Sequence, residues 1–294
     1  MKTPIFTGSG VAIVTPFEGD CINFKLFGQL IDWHIDNGTN AIIVCGTTGE
    51  ASTLSIPEHL SAVEFAVKHT AKRMPVVAGT GSNDTNDALH MSQSAQKLGA
   101  DGLLVVTPYY NKTSQRGLVK HFETIADAVN IPIMLYNIPY RAGMGFQPDT
   151  YKILSKHPNI NGVKEASGDF TLISRTRALC GNNLHIWSGN DDNTLPILSM
   201  GGQGVVSTTA NVAPRMMSDL CRLCFEGKFS EARAMAMAHQ ALFDALFVEV
   251  NPIPVKTALS LMGWNVGPLR MPLCDMYDEQ VAILRLVLAG YDLV

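Results

Sequence analysis

Runs of apolar residues rich in valine and isoleucine recur along the chain, each closed by a polar or small residue and then a turn signal. The closing residues are Thr15, Thr47, Gly79, Thr107, Tyr136, Lys164, Ser188 and Ser207. Hydrophobicity within each run is continuous rather than alternating, which suits parallel strands buried on both faces. Endings spaced about 19 to 32 residues apart leave room for one helix between each pair of strands, and predict an α/β fold, a (β/α)8 TIM barrel.

The intervening segments carry helical signals. Lys25 to Asn37 puts Leu26, Leu30, Ile31 and His34 on one side, and Ser55-Ile-Pro-Glu58 combines a capping box with a proline in the first turn. Further helices are predicted over Asp84 to Leu98, Gln115 to Val129, Thr150 to His157, Phe170 to Leu179, Asn193 to Met200 and Pro214 to Glu226. An open doubly wound sheet would show a glycine fingerprint after an early strand. The nearest candidate, G-T-G-S-N-D at 79 to 84, has aspartate where the third glycine belongs.

Beyond Ser207 the strand pattern ends. Ser230 to Val248 has helical composition, Asn251-Pro-Ile-Pro254 breaks it, and Val255 to Met262 and Asp278 to Ala289 read as helices. The expected organisation is a catalytic barrel over residues 1–226 and a C-terminal helical appendage over 227–294, packed on the barrel or on another subunit.

Composition narrows the function classes. Hydrophobic residues make up 46% and charged residues 16% of 294 residues, enough for a large core. A net charge of -4 without a basic run leaves no footprint for nucleic acid. No stretch has the length of a membrane span and the first ten residues have no apolar signal core, so a soluble, cytoplasmic protein is expected. The cysteines are scattered except for C-R-L-C at 221 to 224, which lacks a second ligand pair and reads as buried thiols on a helix face. Asp191 and Asp192 in S-G-N-D-D-N, without a further ligand cluster, read as solvated or capping carboxylates; no metal is expected.

The chemistry concentrates in Ile133 to Gly168. Tyr136 closes one apolar run and Lys164 the next, about 28 residues on, one βαβ repeat, so the two should sit side by side. A lysine ending a buried strand loses hydration, which lowers its pKa and frees the amine to attack carbonyls. Alone, such a lysine more often snorkels to solvent, Thr47 is more often a turn residue and Tyr136 a core aromatic. The barrel register, however, brings Thr47, Tyr109, Tyr110, Tyr136, Lys164 and Gly189 to one mouth, where active sites of this architecture lie. Tyr136 could pass protons during imine formation, with Thr47 as a donor and acceptor beside it. Arg141, in the loop past Tyr136, could grip a carboxylate, and the amides around Thr47, Thr48 and Gly49 a second one. The set predicts a Schiff-base enzyme acting on a small keto acid.

Five segments carry a family resemblance: G-T-T-G-E at 46 to 50, T-P-Y-Y-N at 107 to 111, Y-N-I-P-Y-R at 136 to 141, K-E-A-S-G at 164 to 168 and N-P-I-P-V-K at 251 to 256. In this order, over nearly the whole chain, they resemble the dihydrodipicolinate synthase family. The resemblance implies condensation of pyruvate with L-aspartate 4-semialdehyde on the route to lysine and diaminopimelate, without a cofactor. Lys164 would form the imine, with Tyr136, Thr47 and Tyr110 as the proton relay and Tyr110 supplied across a subunit interface. Thr48 matches the position binding the pyruvate carboxylate, Arg141 the one receiving the semialdehyde carboxylate, and Val206 a backbone contact to the keto acid; Gly189 joins them at the mouth. A homotetramer built as a dimer of dimers is implied. Positions matching the family's lysine effector site are Ala51, Ser52, Ile56, His59, Asn83, Asp87 and Tyr109. Ile56 is apolar where sensitive relatives often carry a basic or histidine side chain, and Asp87 is shorter than the glutamate often found, so weak or absent lysine inhibition is expected.

Two other readings are open on the sequence. A sister aldolase, such as N-acetylneuraminate lyase or a 2-keto-3-deoxy sugar acid aldolase, would share Lys164 and Tyr136, but often carries serine at the Thr47 position and lacks the Tyr110 and Arg141 features. A non-catalytic keto-acid sensor would keep the barrel without turnover.

Overall fold

The computed structural model describes residues 2–294. Strand β1 (Gly8–Ala12) precedes a hairpin of β2 (Phe17–Glu18) and β3 (Cys21–Ile22), followed by β4 (Ala41–Val44), β5 (Val76–Gly79), β6 (Gly102–Val106), β7 (Ile133–Asn137), β8 (Ile160–Glu165), β9 (His185–Ser188) and β10 (Gly204–Ser207). All but the hairpin strands close into a parallel barrel in the order β1-β10-β9-β8-β7-β6-β5-β4, with β4 returning to β1. Closure leaves the barrel itself no free strand edge.

Helices α1 (Phe24–Asp36), α2 (Ile56–Thr70), α3 (Thr85–Lys97), α4 (Gln115–Asp127), α5 (Pro139–Ala142), α6 (Pro148–Leu154), α7 (Phe170–Cys180), α8 (Thr194–Ser199) and α9 (Pro214–Phe225) fill the connections. The capping box that starts α2 is formed on both sides: the Ser55 amide donates to Glu58 Oε2 at 2.9 Å and the Glu58 amide to Ser55 Oγ at 3.4 Å. Buried side chains separate into a large layer between strands and helices and a smaller one inside the barrel, where Phe6, Met134 and Trp187 meet. Cys221 and Cys224 are buried on α9. Among the described residues no helix is long and apolar enough to cross a membrane.

The C-terminal part comprises α10 (Phe229–Ala238), α11 (Gln240–Ala245), α12 (Ile253–Leu261) and α13 (Asp278–Ala289). Several expectations need correction here. The helix expected over Ser230 to Val248 is interrupted at His239, whose ring Nδ1 stands 2.8 Å from the Met235 carbonyl. Asn251-Pro-Ile-Pro254 is the start of α12 rather than only a breaker, because a proline in the first turn gives up an amide that has no helical partner anyway. The first barrel strand ends at Ala12, three residues before Thr15, whose hydroxyl instead donates to the Gly49 carbonyl at 2.7 Å.

Candidate active site

Tyr136 and Lys164 are register partners on neighbouring strands β7 and β8. Residues paired in a parallel ladder point to the same face, here the barrel interior. Lys164 Nζ lies 4.4 Å from the centre of the Tyr136 ring, so the phenol covers the amine. The strand ends continue the ladder past both: the Thr107 amide donates to the Tyr136 carbonyl at 3.2 Å, and the Gly189 amide to the Glu165 carbonyl at 2.8 Å.

Burial decides the titration of both groups. Lys164 is 6% exposed. Desolvation pulls its pKa down from 10.5 to about 8, with Asp191 and then Tyr140 opposing the shift and Arg141 adding to it. Roughly a tenth of the amine is therefore neutral at pH 7. Tyr136 moves the other way, to about 12, because burial disfavours phenolate; the Arg141 charge and the Thr47 side chain pull it back. Its hydroxyl stays protonated at neutral pH and can act only by exchanging protons with a neighbour.

The G-T-T-G-E segment follows β4 and is bracketed by two residues with left-handed backbone, Cys45 at φ 54 and Glu50 at φ 55. Gly79 allows the close approach of this turn, since a Cβ there would stand 2.1 Å from the Cys45 carbonyl oxygen. The Gly49 amide donates to the Gly46 carbonyl, so it leaves the expected carboxylate cradle. The Thr47 and Thr48 amides make no hydrogen bond to the described residues and are left as donors. Thr48 itself is buried, its hydroxyl accepting from Asn251 Nδ2 at 2.9 Å.

Arg141 is on the short helix α5 rather than in a loop. Its Nη2 donates to the Asn251 carbonyl at 3.0 Å, which fixes the guanidinium at the rim while its other donors stay open. Val206 is buried on β10 inside the barrel. At Gly189 a Cβ would lie 3.1 Å from Lys164 Cγ and 2.8 Å from Ala166 Cβ, so the missing side chain is what lets the lysine stem pass.

A cavity of about 440 Å³ opens at this mouth, lined by Thr47, Tyr136 and Arg141 together with Ala51, Ser52, Ile56, His59, Asp87 and Tyr109. Lys164 is not among the residues that line the cavity; it meets it through Tyr136, whose ring its Nζ faces. Asn83 is outside the cavity lining, its carbonyl accepting from Asn111 Nδ2 at 2.9 Å. His59 is held by burial below the usual imidazole range, with Nε2 2.7 Å from the Gly79 carbonyl. Tyr110 does not join the others within one chain: it is 89% exposed, in a left-handed conformation at φ 66. A bulky residue in that region is strained, and strain of this kind collects where function or assembly requires it.

Three buried groups near the mouth had no reading as site residues in the sequence. Asn251 joins Thr48 to Arg141. Glu165 accepts from Asn137 Nδ2 at 2.8 and 3.0 Å, from the Tyr151 hydroxyl at 2.9 Å and from the Ser167 amide at 2.9 Å, tying the ends of β7 and β8 to α6. Asp191, expected to be solvated or capping, is buried. Among the described residues no group of three His, Cys, Asp or Glu is placed to hold a metal.

The profile of the dihydrodipicolinate synthetase family matches residues 5–289. The chain belongs to the dihydrodipicolinate synthetase family. A relative from Thermoanaerobacter sp. (strain X514), named 4-hydroxy-tetrahydrodipicolinate synthase, is 52% identical over 292 residues, covering 99% of this chain and 98% of the relative. The crystal structure of dihydrodipicolinate synthase from Aquifex aeolicus superposes with a TM-score of 0.96 at 46% identity, covering 98% of this chain and 99% of that one. A family structure from Acinetobacter baumannii, described as chloride inhibited and complexed with pyruvate, gives 0.96 at 39% identity, covering 98% and 99%. The barrel expected from the run endings, and the family expected from the five segments, are those found.

Proposed function

We propose that Lys164 captures pyruvate as an imine and that the resulting enamine attacks the aldehyde of L-aspartate 4-semialdehyde, the chain acting as a 4-hydroxy-tetrahydrodipicolinate synthase, a lyase of lysine and diaminopimelate biosynthesis. The observation that carries this reading is a buried amine with its pKa drawn down to about 8, under a tyrosine ring whose centre is 4.4 Å away. The neutral amine adds to the keto carbon, water leaves, and loss of a proton from the methyl carbon gives the nucleophile. Tyr136 and Thr47 move the protons. The Thr47 and Thr48 amides receive the pyruvate carboxylate, with Val206 and Gly189 shaping the floor, and Arg141 receives the second substrate's carboxylate by paired hydrogen bonds.

Tyr110 completes the relay of a neighbouring subunit in a homotetramer assembled as a dimer of dimers, a reading supported by its exposure and strained backbone. Residues 1–226 serve as the catalytic barrel and 227–294 as the helical region that braces its rim, supported by the bonds of Asn251 and Lys256 to the 46–50 turn. The work is done in the cytoplasm, without nucleic acid or membrane partners. Ile56, 61% exposed at the cavity wall, and His59, held neutral, offer little to a lysine effector. Submillimolar lysine inhibition in a steady-state assay would contradict that last point.

The test is borohydride reduction in the presence of pyruvate, with the modified peptide located by mass spectrometry. Lys164 is expected to carry the adduct and Lys164→Ala to carry none; an adduct elsewhere would overturn the assignment. Turnover of the semialdehyde but not of sialic acid separates this reading from the sister aldolases.

A further inference from the structure

Asn137 and Glu165 are the last register pair of β7 and β8, one residue beyond Tyr136 and Lys164. Successive side chains of a strand face opposite ways, so this second pair points outward, into the layer between strands and helices. That layer is built of apolar groups such as Phe122, Phe146 and Tyr151. Glu165 is 3% exposed and Asn137 fully buried, yet the carboxylate is well supplied with donors. Asn137 Nδ2 donates to both its oxygens, at 2.8 and 3.0 Å, the Ser167 amide to Oε1 at 2.9 Å and the Tyr151 hydroxyl to Oε2 at 2.9 Å. Asn137 Oδ1 accepts from the Phe146 amide at 3.3 Å, so the asparagine amide cannot turn over without setting donor against donor.

A charge in such a layer contributes little net stability, because its desolvation offsets most of what the hydrogen bonds supply. What it does provide is a fixed spacing: one amide bonded to both oxygens of one carboxylate joins the two strand ends where their paired register stops. We infer that Glu165 is a positioning residue that, through Asn137, holds the Tyr136 ring against the Lys164 amine and so keeps water from it. The ring centre stands 4.4 Å from Nζ. If the strand ends part, the amine regains hydration and its pKa rises from about 8 back toward 10.5. Less of it is then neutral at pH 7, and the acid limb of imine capture moves to higher pH. The charged and titratable groups about Lys164 are Tyr136 on β7, Tyr140 and Arg141 on α5, and Asp191 after β9; a substitution at Glu165 alters none of them.

Glu165→Gln tests the clamp with little change of shape. Whichever way the new amide lies, its nitrogen meets Asn137 Nδ2, and one of the two bonds between the strands becomes donor against donor. Tyr151→Phe is the control: it removes the donor from α6 and leaves the bonds between the strands in place. The readout is the initial rate of borohydride-trapped pyruvate adduct against pH, per folded protein, with stability followed separately in denaturant. In Glu165→Gln the acid limb should move up by about one pH unit and capture at pH 7 should slow about tenfold, while Tyr151→Phe loses stability with its limb in place. A limb that stays in place in Glu165→Gln, or one that moves equally in Tyr151→Phe, would overturn the proposal. If Glu165→Gln does not fold, Asn137→Ala, which removes the same bonds and leaves the carboxylate its Tyr151 and Ser167 donors, should move the limb upward, and an unmoved limb there would overturn it equally. The inference rests on Lys164 being the imine-forming amine. Failed borohydride trapping in the parent would sink that reading, whereas trapping with an unmoved limb would sink only the part given to Glu165.

Discussion

The side-chain amide of Asn251 donates to the Thr48 hydroxyl at 2.9 Å while its backbone carbonyl accepts from Arg141 at 3.0 Å, so one appendage residue sets both proposed carboxylate-binding positions. Asn251→Ala removes the first bond and keeps the second. It is expected to raise the KM for pyruvate about fivefold, the effect of one lost hydrogen bond of about 1 kcal/mol, with a smaller effect on the semialdehyde. Equal effects on both substrates in steady-state kinetics would contradict this division.

Lys256 and Glu50 form an ion pair of 2.8 Å with both side chains sealed, and Glu50 also accepts from the Arg270 amide at 2.9 Å. Removing one member leaves the other charge buried. Lys256→Met is expected to destabilise the fold by about 3 kcal/mol, read from denaturant unfolding, and to lower activity through the 46–50 turn. A variant as stable as the parent would show that the pair contributes nothing net.

Imine capture should follow the neutral fraction of Lys164. Its folded pKa is lowered, from 10.5 to about 8, so capture is weak at pH 6, half-maximal near pH 8 and level above pH 9 or so. Initial rates of borohydride-trapped adduct across that range check the sign. A rate that falls as pH rises would require a different acid or base to control the step.

Tyr136→Phe keeps the ring over the amine and removes the hydroxyl. Turnover should fall about a hundredfold or more with pyruvate KM changed far less, because proton transfer is lost and the pocket keeps its shape. A proportionate loss in both would assign the tyrosine to binding.

Tyr110→Phe and Lys164→Ala chains, each impaired alone, should complement when refolded together if Tyr110 serves a neighbouring subunit. A statistical mixture of dimers would regain about a quarter of the parent's sites. Absence of any recovery, with mixed oligomers demonstrated by mass spectrometry, would place Tyr110 outside the relay.

The barrel was legible because each strand is short, apolar and abruptly closed: the residues chosen as endings at Gly79, Ser188 and Ser207 are the last of β5, β9 and β10. The hairpin from Phe17 to Ile22 was not, since two-residue strands are too short for any period to register. Lys164 and Tyr136 were legible as polar groups closing apolar runs. Asn251 was hidden by the prolines that follow it, which speak about helix ends and not about the side-chain amide in front of them. Glu165 and Asp191 look in sequence like ordinary charged residues, and only the partners supplied by distant strands and turns give them a buried environment. Tyr110 shows the limit of a single chain: it was expected at the mouth, and within one chain it stands 89% exposed, apart from the other relay residues.

The turn at residues 46–50 is made early and finished late. Thr48 waits for a partner 203 residues downstream and Glu50 for one 220 residues downstream. At ribosomal speeds that interval is roughly ten to forty seconds. A nascent chain can thus have all its barrel strands while its rim is still unbraced, and competence for turnover arrives only with the last part of the polypeptide.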